Sequence, residues 1–282
     1  MNMNARIAQI RNSKTEMVLM IGVAALTLAL SGCAKLQARD QLNKGVQAYK
    51  ANHYETAEAR FKDAINFDPS LTVAKLYLAT ACFNQYVEGA DNPDNLAKAN
   101  CAIEQYNKVL ETDPKNILSI KGMASLYYKM NKLDEAKKWD VRAEEADPND
   151  PENYYAAAVV DWRETYEPRM KTRNEHGITD ANEPIKDKKL CEEIKAKNQQ
   201  KVEDGIKQLT TALEKRKDYE DAISYLNLLY RERADIQCGD PDARKADIAK
   251  ADELVENVMG IKKKKLEKAG ETHGIVLDPQ KQ

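Results

Sequence analysis

The feature that most constrains this chain is a recurrence of 34 residues. Pro114 and Pro148 each follow an aspartate at the end of an amphipathic stretch, and they lie 34 positions apart. Between them, residues 117–150 read as two short amphipathic helices joined by a tight turn at Met130-Asn131-Lys132. In the first, Ile120, Met123, Ala124 and Tyr127 fall on one helical face by the i, i+3, i+4, i+7 rule. In the second, Leu133, Ala136 and Ala143 continue the apolar side. Asp150 is placed to cap the next helix, with Pro151 in its first turn, where the missing N–H costs nothing. One such hairpin cannot bury its apolar face alone, so the pattern demands neighbours.

The neighbours are in register. Gly45, Ala79, Ala124 and Ala158 lie 34, 45 and 34 apart, and Ala57, Ala102 and Ala136 lie 45 and 34 apart. Both series carry the same surplus of 11 between the same two repeats, which is what a single insertion produces. Small residues at these points let two helices approach closely. A helix–turn–helix unit of this length and spacing resembles the tetratricopeptide-repeat (TPR) family, over roughly residues 38–258. The resemblance implies an all-α, right-handed α-solenoid of about five helix hairpins, with insertions in repeats two and four. Its repeats are placed at 38–71, 72–116, 117–150, 151–219 and 220–260.

Gly45, Ala57, Phe61, Ala64 and Pro69 match the family pattern in repeat one, and Ala79, Ala102, Tyr106 and Pro114 match it in repeat two. Lys44, Ala48 and Asp140 depart from it, the last where a large apolar residue is expected. The insertion of repeat two is expected as a loop near Val87–Lys98. That of repeat four, the charged Pro168–Lys197, is expected as an elaborated inter-helix loop, with the second helix resuming near Gln199. A final helix is expected over about Asp242–Met259, and residues 261–282 as a basic helix end and flexible tail.

The start of the chain reads as an address. Arg6, Arg11 and Lys14 precede the apolar run Met17–Leu30, which is too short for a spanning helix of about 20 residues and describes a secretory signal over residues 1–32. Leu30-Ser31-Gly32-Cys33 resembles the bacterial lipoprotein box, which implies a lipidated Cys33 as the mature N-terminus and a linker over 33–37. The alternative is an uncleaved anchor with a chance cysteine. Several acyl chains hold a protein to a membrane where one holds only marginally. The family reading faces the protein to the periplasm, and Ala34, where aspartate marks inner-membrane retention, favours the outer membrane. Removal of residues 1–32 takes the net charge from −2 to −4, which argues against nucleic acid as a partner.

With Cys33 assigned to lipid, Cys82, Cys101, Cys191 and Cys238 remain, an even number in an exported protein. Three pairings are open. Cys82 and Cys101 sit on the two helices of repeat two, while Cys191 and Cys238 flank loops of the C-terminal half, so Cys82–Cys101 and Cys191–Cys238 are the expected pairs. Cys82 and Cys101 as merely buried small apolar residues is the alternative. The cysteine spacings fit no zinc pattern, and Asp91 and Asp94 read as a solvated turn rather than a calcium site. No Gly-rich phosphate loop, His-Glu-x-x-His or Gly-x-Ser-x-Gly is present, and His53, His176 and His273 are far apart in register. The expectation is a non-catalytic protein with no cofactor and no metal.

The informative pattern is a stripe. First helices of the family line a concave face, and the ligand-facing position four residues after the small residue reads Tyr49, Phe83, Tyr128, Trp162 and Arg231 here. The next position reads Lys50, Asn84, Lys129, Arg163 and Glu232. The expectation is a groove of aromatics beside a partly basic rail, able to hold carboxylates. The competing expectation is that these aromatics pack between neighbouring repeats. The groove reading makes the protein a scaffold for an extended or helical segment of another cell-envelope protein. The other reading is a carrier of a small ligand, such as a glycan fragment, with Pro168–Lys197 as a lid.

Overall fold

The computed structural model describes residues 32–180 and 183–272, with side chains through residue 268. Among the described residues there are helices and connections but no strand. In chain order the helices are α1 (described over 32–50), α2 (Tyr54–Phe67), α3 (Thr72–Gln85), α4 (Pro93–Leu110), α5 (Ile117–Lys129), α6 (Leu133–Ala146), α7 (Pro151–Glu175), α8 (Lys188–Lys215), α9 (Glu220–Asp235) and α10 (Pro241–Thr272). The described residues divide into two compact units, one up to Gly122 and one from Met123.

The turns betray the repeat at backbone level. Asn52 and Asn131 occupy the left-handed region, with φ of 60° and 56°, and they sit 79 residues apart, one plain and one enlarged period. Around each, the same two bonds close the helix: Asn52 N–H donates to the Tyr49 carbonyl and His53 N–H to Ala48 (both 2.9 Å), as Asn131 and Lys132 donate to Tyr128 (3.0 Å) and Tyr127 (2.9 Å). Asparagine tolerates this conformation better than most residues with a side chain, and the paired bonds satisfy carbonyls that a helix end leaves open. The second helices also end alike. Asp68, Asp147 and Arg216 are extended or nearly so and donate back to Ala64, Ala143 and Ala212. The prolines that follow Asp68 and Asp147 disfavour further helix at the residue before them.

In the first unit, α2 packs on α3 and α3 on α4. A Cβ added at Gly45 would stand 2.5 Å from the Phe61 ring, so glycine at that register point is required by the close approach of α1 and α2. Ala57, Phe61 and Ala64 are fully buried, at i, i+4, i+7 spacing. Disulfide Cys82–Cys101 joins α3 to α4 with a Cα separation of 6.0 Å. The insertion of repeat two is shorter than expected: only residues 86–92 are non-helical, because Asn92 accepts from Asn95 N–H (2.9 Å) and Pro93 follows in the first turn, starting α4 early. Buried Asn95 then ties the loop down. Its amide donates to the carbonyls of Val87 (2.9 Å) and Ala90 (2.6 Å) and accepts from Val87 N–H (2.8 Å). Residues 33–37, expected as a linker, are helical and belong to α1.

In the second unit, α6, α7, α8, α9 and α10 pack each on the next, and α7 also meets α9. Val202, Leu209, Ile223 and Leu229 are among the buried residues at its centre. Gly205 is again a point of close approach, since a Cβ there would lie 2.7 Å from Leu229 and 3.3 Å from Asp161. Asp150 caps α7, accepting from Glu152 N–H (2.9 Å) with Pro151 at its start. The expected loop Pro168–Lys197 is corrected here. Helix α7 runs through Pro168 to Glu175, and α8 begins at Lys188 rather than near Gln199, so only 176–187 separates them. Asp187 caps α8 by accepting from Lys189 (2.9 Å) and Leu190 (3.1 Å), and Leu190, Cys191, Ile194 and Asn198 are buried. Helix α10 continues past Met259 and carries the basic run Lys262–Lys265 in helical form. Residues 1–31, holding most of the signal segment, and 273–282, holding the end of the tail, lie outside the described residues.

Candidate functional site

The stripe positions fall into local clusters, two of which join the same pair of register positions through different contacts. In the first unit, Asn84 Nδ2 donates to the Tyr49 hydroxyl at 2.7 Å, and the Tyr49 ring stands edge-on to Tyr54 (5.4 Å) and Tyr77 (6.3 Å). In the second, the Arg163 guanidinium lies over the Tyr128 ring at 4.8 Å and its Nη1 donates to the Tyr128 carbonyl (3.4 Å). Both pairs span 35 residues. At these two points the residue expected on the basic rail grips the aromatic of the preceding repeat, so Tyr49 and Tyr128 take part in packing between repeats. Phe83 and Lys129 are half-buried, while Lys50 is exposed.

Trp162 and Arg231 meet at a different kind of place. Trp162 stacks on Tyr166 (centroids 4.8 Å, planes at 22°) and meets Tyr225 edge-on at 5.3 Å. Both Trp162 and Arg231 line a cavity of about 290 Å³ among α7, α9 and α10, with Tyr166, Arg169, Met170, Leu228, Glu232, Asp235 and Ile248. Arg231 donates to Asn227 (2.9 Å) and Asp252 (2.7 Å). Buried Arg169 binds both carboxylate oxygens of Glu232 (2.5 and 2.6 Å) and one of Asp235 (2.5 Å), and fully buried Arg173 shares that Asp235 oxygen at 2.9 Å. Burial works against the Arg169 charge, but the hydrogen bonds and charge of Glu232, with Asp235, outweigh it and raise its pKa. Trp162 Nε1 is buried with no hydrogen-bond partner among the described residues.

The same cluster fastens the connection once expected as a lid. Arg173 Nη2 donates to the carbonyls of Asp180 (2.6 Å) and Glu183 (2.9 Å). Disulfide Cys191–Cys238 joins the start of α8 to the α9–α10 turn, with Cα atoms 5.7 Å apart. The connection is therefore held at its middle and at its exit. Sequence reasoning missed Arg169, Arg173, Glu232 and Asp235 as a set. The legible signal was spacing: the arginines are i, i+4 and the acids i, i+3, each pair on one helical face.

Two further charged clusters complete the inventory. Glu58 accepts from Lys62 (2.6 Å), Lys98 (2.7 Å) and Gln85 (2.8 Å); burial alone would raise its pKa, but these bonds hold it down at about 2. Gln85 and Lys98 also line an open depression of about 680 Å³ with His53 and Tyr54. The Glu58 carboxylate lies near Cys82 and Cys101, whose sulfurs are bonded to each other and offer no thiolate to a metal. Asp91 and Asp94 are exposed, and Asp94 falls in the first turn of α4, where its charge suits the helix dipole. In the second unit, burial pushes Asp140 up to about 8, against the pull of Lys137, and neighbouring Asp161, ion-paired to Lys137, up to about 6.

Helical hairpins of this length, with small residues at the approach points and the same cap at corresponding turns, define the all-α fold of the tetratricopeptide-repeat family. No family model matches the sequence, and no curated protein matches it. Among solved structures the chain is similar to MamA 41-end from Desulfovibrio magneticus RS-1, at 14% identity, covering 81% of this chain and 96% of that one with a TM-score of 0.53. It is similar also to a second MamA crystal structure, at 12% identity, covering 86% of this chain and 98% of that one with a TM-score of 0.52. At such identity the likeness is one of fold.

Proposed function

We propose that this chain is a non-catalytic interaction scaffold of a bacterial cell envelope. It is tethered to a membrane, the outer one favoured, by lipid on Cys33. Facing the periplasm, it holds an extended or helical segment of another envelope protein. The observation that carries the reading is the cavity where Trp162 and Arg231 converge, since a partly apolar recess on the first helices of successive hairpins suits an anchoring side chain. Cys33 is exposed and unbonded at the end of Leu30-Ser31-Gly32-Cys33, and two disulfides suit an oxidising compartment. The test is crosslinking in membranes followed by capture of the tagged protein. A discrete envelope protein crosslinked to wild type, and lost when Tyr128 and Trp162 are both changed to alanine without loss of helicity, supports the scaffold. Retention of that protein together with lost binding of glycan fragments favours the carrier reading. Metabolic labelling with an alkyne fatty acid should mark wild type and leave Cys33→Ser unlabelled.

A further inference from the structure

The last turns of α10 present a surface that the scaffold reading leaves unused. Leu254, Val258 and Ile261 pack onto the core of the second unit, and Lys265 continues that line to an ion pair with Glu220 of α9. These contacts fix the rotation of the helix and decide what it shows to solvent. At 3.6 residues per turn, Val255, Met259 and Leu266 fall within about 40° of one another on the outward side. They are 37%, 58% and 74% exposed. Lys262 borders this stripe on one edge and Lys263 on the other, with Lys264 further round. All three lysines are exposed and form no ion pair among the described residues. Residues 259–268 hold five lysines against one acid, Glu267. The outward acids Asp252 and Glu256 lie toward the middle of the helix, away from Leu266.

The chemistry of this face suits a lipid surface better than a protein. Residues 255–268 contain no aromatic residue and no arginine, the types in which protein interfaces are enriched, and interface cores are depleted of lysine. A bilayer surface takes the opposite mixture. Apolar side chains enter at the headgroup level while the flexible lysines beside them reach back to the phosphates. Resting on the membrane reading above, we propose that the outward face of α10, built on Val255, Met259, Leu266 and Lys262–Lys264, docks on the anionic headgroups of a phospholipid bilayer. Three apolar side chains alone hold a membrane weakly, so the lysine charge sets the affinity. The contact is a second membrane attachment, sensitive to salt and selective for negative headgroups.

For the test, the full chain carries p-benzoylphenylalanine in place of Leu266. It is reconstituted into vesicles of phosphatidylcholine alone or mixed with phosphatidylglycerol, irradiated, and analysed by mass spectrometry. Each lysine near an anionic surface is worth roughly fivefold in partitioning, so the phospholipid adduct at position 266 should be at least about tenfold more abundant in the phosphatidylglycerol vesicles. High salt should remove that excess. Changing Lys262, Lys263 and Lys264 together to glutamine should abolish it while circular dichroism stays native, and the matching change to arginine should keep it. Equal adducts in both kinds of vesicle, or an excess that survives the glutamine variant, overturns the proposal. So does an adduct to a second copy of the chain or to residues 273–282 in place of lipid. If no excess appears while fatty-acid labelling still marks Cys33, the α10 contact fails and the tether stands. An excess without labelling of Cys33 keeps the contact and removes the lipid tether.

Discussion

Asn131 and Asp140 illustrate how far a single position can be read. Asn131 sits at φ 56° and supports the paired turn bonds, so Asn131→Val should destabilise by about 1–2 kcal/mol, while Asn131→Gly should stay within about half of that, by denaturant titration. The turn was legible because asparagine between two amphipathic runs announces it. Asp140 was legible only as a misfit in the family pattern. Its state depends first on burial, then on Lys137 and Glu144 of its own helix and on Asp161 of α7; the helical neighbours are legible from spacing, the burial and Asp161 are not. Its folded pKa of about 8 exceeds the ordinary 3.8, so its contribution to stability is complete below about pH 4 and is lost as pH rises through 8. Asp161, at about 6, acts in the same direction over the lower part of that window. Glu58 runs oppositely, contributing above its ordinary 4.5 and losing its effect as pH falls towards 2. Between pH 5 and 8.5 the melting temperature should therefore fall, and Asp140→Asn should raise it at pH 8 and flatten the slope.

At the scale of an element, α7 is the lesson. Proline at 168 and the polar run behind it read as the end of a helix, yet the helix continues for seven residues. A proline removes one helical hydrogen bond and crowds the preceding turn, which is a local penalty. The compensation is distant: Arg169 and Arg173 reach residues more than 60 positions away on α9, and such pairings are invisible to a window of one helix. The start of α8 was nearer to hand, since Asp187 with Leu190, Cys191, Ile194 and Asn198 forms a cap followed by an apolar face. By contrast, hairpins α5–α6 and α9–α10 were legible because their own small and apolar residues carry the period. Arg169→Met leaves Glu232 without its bidentate partner and should cost about 3–5 kcal/mol in urea-monitored unfolding. The double change Arg169→Met, Glu232→Leu should recover part of that loss, because it removes the stranded carboxylate as well as the cation and leaves Asp235 to answer buried Arg173.

Over the whole molecule, each compact unit carries one sulfur–sulfur bond, Cys82–Cys101 in the first and Cys191–Cys238 in the second. In the chain-entropy account a closed loop of 47 residues contributes roughly 4 kcal/mol and one of 19 somewhat less, so dithiothreitol should lower the melting temperature of both units. Hydrogen exchange should report the second as faster opening of residues 176–187 and the start of α8. Neither bond crosses Gly122–Met123, the division inside α5. Apart from the main chain, then, no covalent link joins the two halves. A protease site engineered at that peptide should yield two bands on a non-reducing gel. On the proposal that Cys33 carries lipid, cleavage in intact membranes should leave the amino-terminal half in the pellet, and Cys33→Ser should release it. The tryptophan-lined recess lies wholly in the carboxy-terminal half, so after the cut, capture of each half under denaturing conditions following crosslinking turns one cleavage into an assay of which half the partner follows.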